Sequence, residues 1–98
     1  MDDILKVYSG TASDTEQEIT FDFHPTSIDI FIFNSYDMYI CFVSSNNKQS
    51  DWIRVPSNFF YSIDSSKISA KRKIKSCKVK NYTSGQNAEY QIIIWNNR

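Results

Sequence analysis

The sequence predicts an all-β fold, a single antiparallel β-sandwich of seven to eight strands, jelly-roll or immunoglobulin-like, over residues 1–98. Three observations lead there. The 98 residues include 7 Phe, 6 Tyr and 2 Trp beside many Ile, Val and Thr, while Leu and Ala are scarce; such side chains suit a pleated, half-buried surface rather than a helix. Turn residues recur about every 8–12 positions, the spacing of short antiparallel strands. No stretch keeps a 3.6-residue apolar period over about ten positions, as an amphipathic helix would.

Residues 3–8 read as a first strand, and residues 9–16, with Gly10, as a polar loop. Over 17–23, Ile19, Phe21 and Phe23 alternate with Glu18, Thr20 and Asp22, the mark of a half-buried strand. His24-Pro25-Thr26 is a turn, because proline donates nothing to a ladder. Residues 27–34 place Ile28, Ile30 and Ile32 on one face, and Asp29, Phe31 and Phe33 on the other, which suggests cover on both sides at one end. After the turn 34–37 the chain returns at 38–44, so 27–34 and 38–44 are expected to form a hairpin. Residues 45–50 are a loop tip.

Residues 52–55 form a short strand ended by Pro56, and 58–63 another, with Phe59, Tyr61 and Ile63 in one phase. Residues 64–72 are polar. Residues 73–82 form a long basic strand whose alternation breaks, with Ile74 in one phase and Cys77 and Val79 in the other. A β-bulge near Ser76-Cys77 would restore the register. Thr83 to Asn87 is a turn with Gly85, and 88–95 is the last strand. The inward set is then Ile19, Phe21, Ile28, Ile30, Ile32, Ile40, Phe42, Val55, Ile92 and Ile94.

A chain of 98 residues has room for one core. A domain this small buries roughly 60–65% of its unfolded surface, so oligomerisation or docking on a larger assembly is a common source of added stability. Cys41 and Cys77 lie in hydrophobic strands and read as buried free thiols, a single bridge being the alternative. No secretory signal is recognised behind the acidic Met1-Asp2-Asp3, and no apolar run nears the roughly 20 residues of a membrane-spanning helix. A protein made in a host cytoplasm is the expectation.

Net charge is zero but unevenly spread. Residues 1–37 carry eight acids against one base; residues 38–98 carry ten bases against three acids. Such asymmetry marks an interaction surface or, more simply, acidic and basic strands paired within one sheet. The bases concentrate in Lys67, Lys71, Arg72, Lys73, Lys75, Lys78 and Lys80. Basic strands with nearby aromatics bind single-stranded nucleic acid in small barrels. Exposed lysines equally keep a strand from aggregating edge to edge. The balanced charge and the preference for lysine over arginine favour protein contact.

Catalytic, metal and cofactor residues are expected to be none. His24 stands in a turn without an orienting partner or nucleophile. Positions 24, 41 and 77 are too few and too scattered for zinc. There is no phosphate-cradling glycine loop and no nucleophile elbow. The acid pairs Asp14/Glu16 and Glu16/Glu18 read as solvated charge, since no glycine-punctuated calcium loop surrounds them.

From residue 27 to 95 the order of elements has further character: a strand ending at Asn34, a turn, Met38-Tyr39-Ile40-Cys41-Phe42-Val43, a polar loop, Trp52-Ile53-Arg54-Val55-Pro56, and a final strand ending Ile94-Trp95. This order resembles small β-sandwich accessory proteins of tailed bacteriophages, of the head-decoration and head-fibre type. The resemblance implies a non-enzymatic virion protein that docks on capsid or tail proteins, in repeated copies or as a homo-oligomer; no membrane partner is expected, and a small barrel binding single-stranded nucleic acid ranks below protein contact on the charge balance. The residues expected to carry contact are Lys71, Arg72, Lys73, Lys75, Lys78, Lys80, Tyr36, Tyr39 and Trp52. Two other classes stay open: a host-protein-binding module, and a carbohydrate-binding module with an exposed aromatic row drawn from Tyr36, Tyr39, Trp52 and Tyr61.

Overall fold

The structure, a computed structural model, describes residues 5–57, 60–63 and 73–96. The described residues form eight strands: β1 (Leu5–Ala12), β2 (Gln17–Thr20), β3 (Ser27–Ile32), β4 (Met38–Ser44), β5 (Ile53–Val55), β6 (Tyr61–Ile63), β7 (Ile74–Asn81) and β8 (Ala88–Trp95). They form two four-stranded antiparallel sheets, β1-β8-β3-β6 and β2-β7-β4-β5.

The pairings β1 with β8, β2 with β7, β3 with β6 and β4 with β5 join the chain's two halves as one long hairpin, with its tip between β4 and β5. Rolling that hairpin brings β8 against β3 and β7 against β4, which closes the two sheets. This is the jelly-roll order, and it removes the immunoglobulin-like alternative. It also corrects the expected hairpin of 27–34 with 38–44: β3 and β4 lie in opposite sheets, so the 33–37 segment crosses the sandwich. Alternation gives each strand its faces, but it does not say which strand it pairs with.

The core lies between the inner faces. Ile28, Ile30, Ile92 and Ile94 from one sheet meet Met38, Ile40, Val55, Cys77 and Val79 from the other, all fully buried. Phe21, Ile32 and Phe42 join them nearly buried, and Ile19 packs at the margin. Burial of each large aliphatic side chain contributes about 1.5–3 kcal/mol. Gly10 sits opposite Tyr90, whose hydroxyl lies 2.8 Å from where a Cβ would stand, so glycine lets β1 close over that ring.

Several element boundaries move. β1 runs on through Gly10 to Ala12, because pairing with β8 supplies hydrogen bonds that local polarity does not foretell. β2 ends at Thr20, and Phe21 enters the core beyond it. Trp52 precedes β5. The bulge in β7 is real but one residue earlier than expected: Val43 faces Ser76 and Ser44 faces Ile74, leaving Lys75 unmatched. Ile74 thereby packs on the same core as Cys77 and Val79. Asn58, Phe59 and the polar segment 64–72 lie outside the described residues.

Cys41 and Cys77 are free and buried on adjacent strands. Cys77 belongs to the inner face, while Cys41, paired with Lys78, points to the outer one. Side chains on opposite faces of a sheet cannot meet Sγ to Sγ without moving the backbone. Burial raises the pKa of both thiols above the ordinary value, Cys77 far above, so each stays a protonated and unreactive thiol.

Two outcomes follow. Ile30→Ala, at a site with no exposure, should cost about 2–5 kcal/mol in urea melts, and a loss under about 1 kcal/mol would displace Ile30 from the core. Intact mass measured without reductant should show both thiols, with no two-hydrogen deficit.

Candidate functional site

With both inner faces committed to the core, the outer faces are what a partner can reach. The two differ sharply. On the β1-β8-β3-β6 sheet, register places Leu5 beside Trp95 and Val7 beside Ile93, with Phe31, Phe33 and Phe60 toward the other corner. Phe33 is 57% exposed, Phe60 55% and Val7 46%. The expectation that Phe31 and Phe33 are covered is therefore wrong within one chain: no element of the described residues crosses this face. Phe31 packs edge-on to Phe33 at 5.0 Å between ring centroids and lies 6.4 Å from Phe60. Asp29 sits amid this surface, but its carboxylate accepts from Trp95 Nε1 at 2.8 Å and Ser62 Oγ at 2.7 Å. Those bonds pin β8 and β6 to β3 and already replace part of the water a partner would strip away.

The outer face of the β2-β7-β4-β5 sheet is basic and aromatic. Lys78 and Lys80 alternate outward on β7, followed by Tyr82. Tyr39 on β4 lies between Tyr82 at 5.0 Å and Trp52 at 6.3 Å. Lys80 Nζ stands 4.3 Å above the Trp52 ring, and the Arg54 guanidinium 4.1 Å above Tyr82, within range of cation–π attraction. Lys78 donates to Gln49 and Lys75 to Asn47, both on the loop after β4. Beside them the acidic strand β2 pairs with β7, Glu18 opposite Lys78. Glu18 also accepts from the buried Ser76 hydroxyl at 2.7 Å. Part of the charge asymmetry is thus resolved inside one sheet.

Of the nine residues expected to carry contact, Tyr39, Trp52, Lys78 and Lys80 share this face, with Lys75 at its bulged end. Tyr36 is exposed on the 33–37 turn, and Lys73 is exposed just before β7. Lys71 and Arg72 lie outside the described residues. Tyr61 does not join the aromatic row: it packs against the core from the opposite sheet. Tyr82, Arg54, Asp37 and Gln86 enter the site without having been singled out. Tyr82 was legible, since it continues the outward phase of Lys78 and Lys80; the others needed the fold.

The turns 33–37 and 82–87 meet at one end of this face. Asn34 ties them, donating to the Asn87 carbonyl at 2.9 Å and accepting from the amides of Tyr36 and Glu89 at 3.3 Å. Asp14 accepts from Asn81, Ser84 and the Gly85 amide, where Gly85 holds φ at +80°. Between the turns lies a shallow pocket of about 200 Å³ whose lining includes Tyr36, Asp37, Arg54, Tyr82, Thr83 and Gln86. Arg54 donates twice to Asp37 Oδ2, at 2.9 and 2.6 Å, and the Ser57 amide donates to Oδ1 at 2.9 Å. Burial works against ionising Asp37, but the guanidinium and the amide together outweigh it and hold the carboxyl below its ordinary value.

Among the described residues, no group of three or more His, Cys, Asp or Glu could hold a metal ion. No helix among them is long and apolar enough to cross a membrane.

A depressed carboxyl stabilises the fold above its unfolded pKa, near 3.8 for aspartate, and that stability is lost as pH falls through the lower folded value. Asp37→Asn should therefore melt lower at neutral pH, by an amount kept small because Arg54 stands half in solvent. It should also lose less stability on acidification below pH 4 than the parent does. Thermal melts across that window check it; parallel curves would remove Asp37 from the acid response.

No protein-family model and no curated protein matches the sequence. Among solved structures, a protein of Bacillus endospore appendages, described as a novel family of disulfide-linked pili, is similar with a TM-score of 0.53. The alignment covers 92% of this chain and 81% of that one at 11% identity, so the likeness is one of fold.

Proposed function

We propose that this chain is a non-enzymatic structural protein that works in repeated copies, with its apolar outer sheet face seated against a second copy. The observation that carries the reading is that face: Leu5, Val7, Ile93, Trp95, Phe31, Phe33 and Phe60 on one side of a small domain. Exposed aromatic side chains in such number mark interaction sites on soluble proteins. Among the described residues, Asp29 and Glu89 are the charged side chains on these strands whose phase is outward, and Asp29 is already hydrogen-bonded. A surface so poor in charge complements itself, as an isologous contact requires. β1 adds a second feature. It is an eight-residue edge strand without proline, and edges of that kind pair readily with another strand.

The similarity to a pilus protein supports the reading, since that fold is used there to build an appendage. Disulfide linkage is not part of the proposal, because Cys41 and Cys77 are buried. In its finer form, the assembly is a bacteriophage capsid or tail, on which the chain is an accessory protein. The element order of residues 27–95 supports that form, and mass spectrometry of purified virions tests it.

Sedimentation of the purified chain should show a dimer or larger species. Phe33→Asp and Val7→Asp should each weaken it about tenfold or more, equivalent to about 1.4 kcal/mol, without lowering the melting temperature of the isolated domain. A chain that stays monomeric at high micromolar concentration, or oligomers indifferent to both changes, would overturn the proposal.

A further inference from the structure

The pocket between the 33–37 and 82–87 turns lies on the opposite sheet from the apolar face and does not depend on it. We propose that this pocket is a subsite for one ring of a neutral saccharide. Its volume of about 200 Å³ is below the roughly 300–1,000 Å³ of drug-sized sites, and suits a single pyranose.

Its lining matches sugar chemistry in three respects. Tyr36 supplies an aromatic ring that takes part in no ring or cation contact among the described residues, while the Tyr82 ring is stacked by Arg54 and contributes its hydroxyl. An aromatic face carries partial negative charge and attracts the polarised C–H face of a pyranose. The hydroxyls of Tyr36, Tyr82 and Thr83 and the side-chain amide of Gln86 make no hydrogen bond among the described residues. Each can donate and accept, as a ring of sugar hydroxyls requires. Arg54 is locked by two bonds to Asp37 and by its stack on Tyr82, so its donors are held in a fixed plane.

Charge decides against the anionic alternative. Asp37 neutralises Arg54 within the pocket, at 2.6 Å. A phosphate or nucleic-acid site needs an unpaired cation at its centre, whereas an uncharged polyol gains from a paired one that presents both donors and acceptors. The nearby lysines, Lys78 and Lys80, stand on the sheet face beyond the pocket lining.

The test is an amide-resolved NMR titration of the full chain. The probes are the methyl glycosides of glucose, galactose, mannose and N-acetylglucosamine at millimolar concentrations, with inorganic phosphate and oligothymidylate as separate arms. At least one glycoside should move the amides of Tyr36 and of Tyr82 to Gln86 saturably. Gln86→Ala and Tyr36→Ala, both at exposed positions, should each weaken that binding about tenfold while leaving the remaining spectrum in place. The proposal is overturned if no glycoside shifts these amides, if phosphate or oligothymidylate does so and the glycosides do not, or if both variants bind as the parent does. None of these outcomes bears on self-association through the other sheet.

Discussion

The isoleucine layer of β3 and β8, packed on Met38, Ile40, Val55 and Val79 of β4, β5 and β7, is what the remaining structure leans on. β8 and β7 are central strands, each with a neighbour on both sides. They also hold the two halves of the chain together, because every pairing they make is with a strand from the first half. A single methylene lost from that layer is felt by both sheets, since interiors of this kind are close-packed. The bulge at Lys75 serves the same end: without it Ile74 would face solvent and a lysine would face the core.

Once the inner faces are spent on one another, every remaining property of the molecule is a property of an outer face, an edge or a turn. The two outer faces are built on different chemistry. One keeps phenylalanine and aliphatic side chains in the open and quiets its central carboxylate with Trp95 and Ser62. The other covers its aromatics with cations, Lys80 over Trp52 and Arg54 over Tyr82. Cation–π contact shields those rings while keeping the surface wet. With one dry face and one wet face, the proposed self-association and the proposed saccharide subsite fall on opposite sheets and would not compete.

Hydrogen-bonded aspartates organise the seams between the sheets. Asp22 accepts from Tyr8 at 3.0 Å and pairs with Lys6 at 3.3 Å, joining β1 to the segment after β2. Asp14 caps the 82–87 turn, and Asp37 joins the 33–37 turn to Arg54 on β5 and to the Ser57 amide. The first of their causes differs: the Tyr8 hydroxyl for Asp22 and the Asn81 amide for Asp14, while Asp37 ionises against the pull of burial. All three favour the charged form, so acid loosens the joints between sheets before it touches the core. Three of the acids in residues 1–37, Asp14, Asp22 and Asp37, are thus engaged in these joints, which a net-charge count does not convey.

Period-two alternation alone was enough to make Ile28, Ile30, Ile92 and Ile94 inward, to place β8 at residues 88–95, and to require a bulge in β7. These are local properties, fixed by the pleat, which sends successive side chains to opposite faces whatever the partner strand. Strand partnership is not local. The sequence around the 34–37 turn suits a hairpin, yet β3 and β4 belong to different sheets, and their isoleucine faces meet across the core instead of side by side. For the same reason Phe31 and Phe33 read as covered but are exposed. Nor could the pocket be seen in advance, since Tyr36, Arg54 and Gln86 are brought together only when the crossing turns of a rolled hairpin meet at one end.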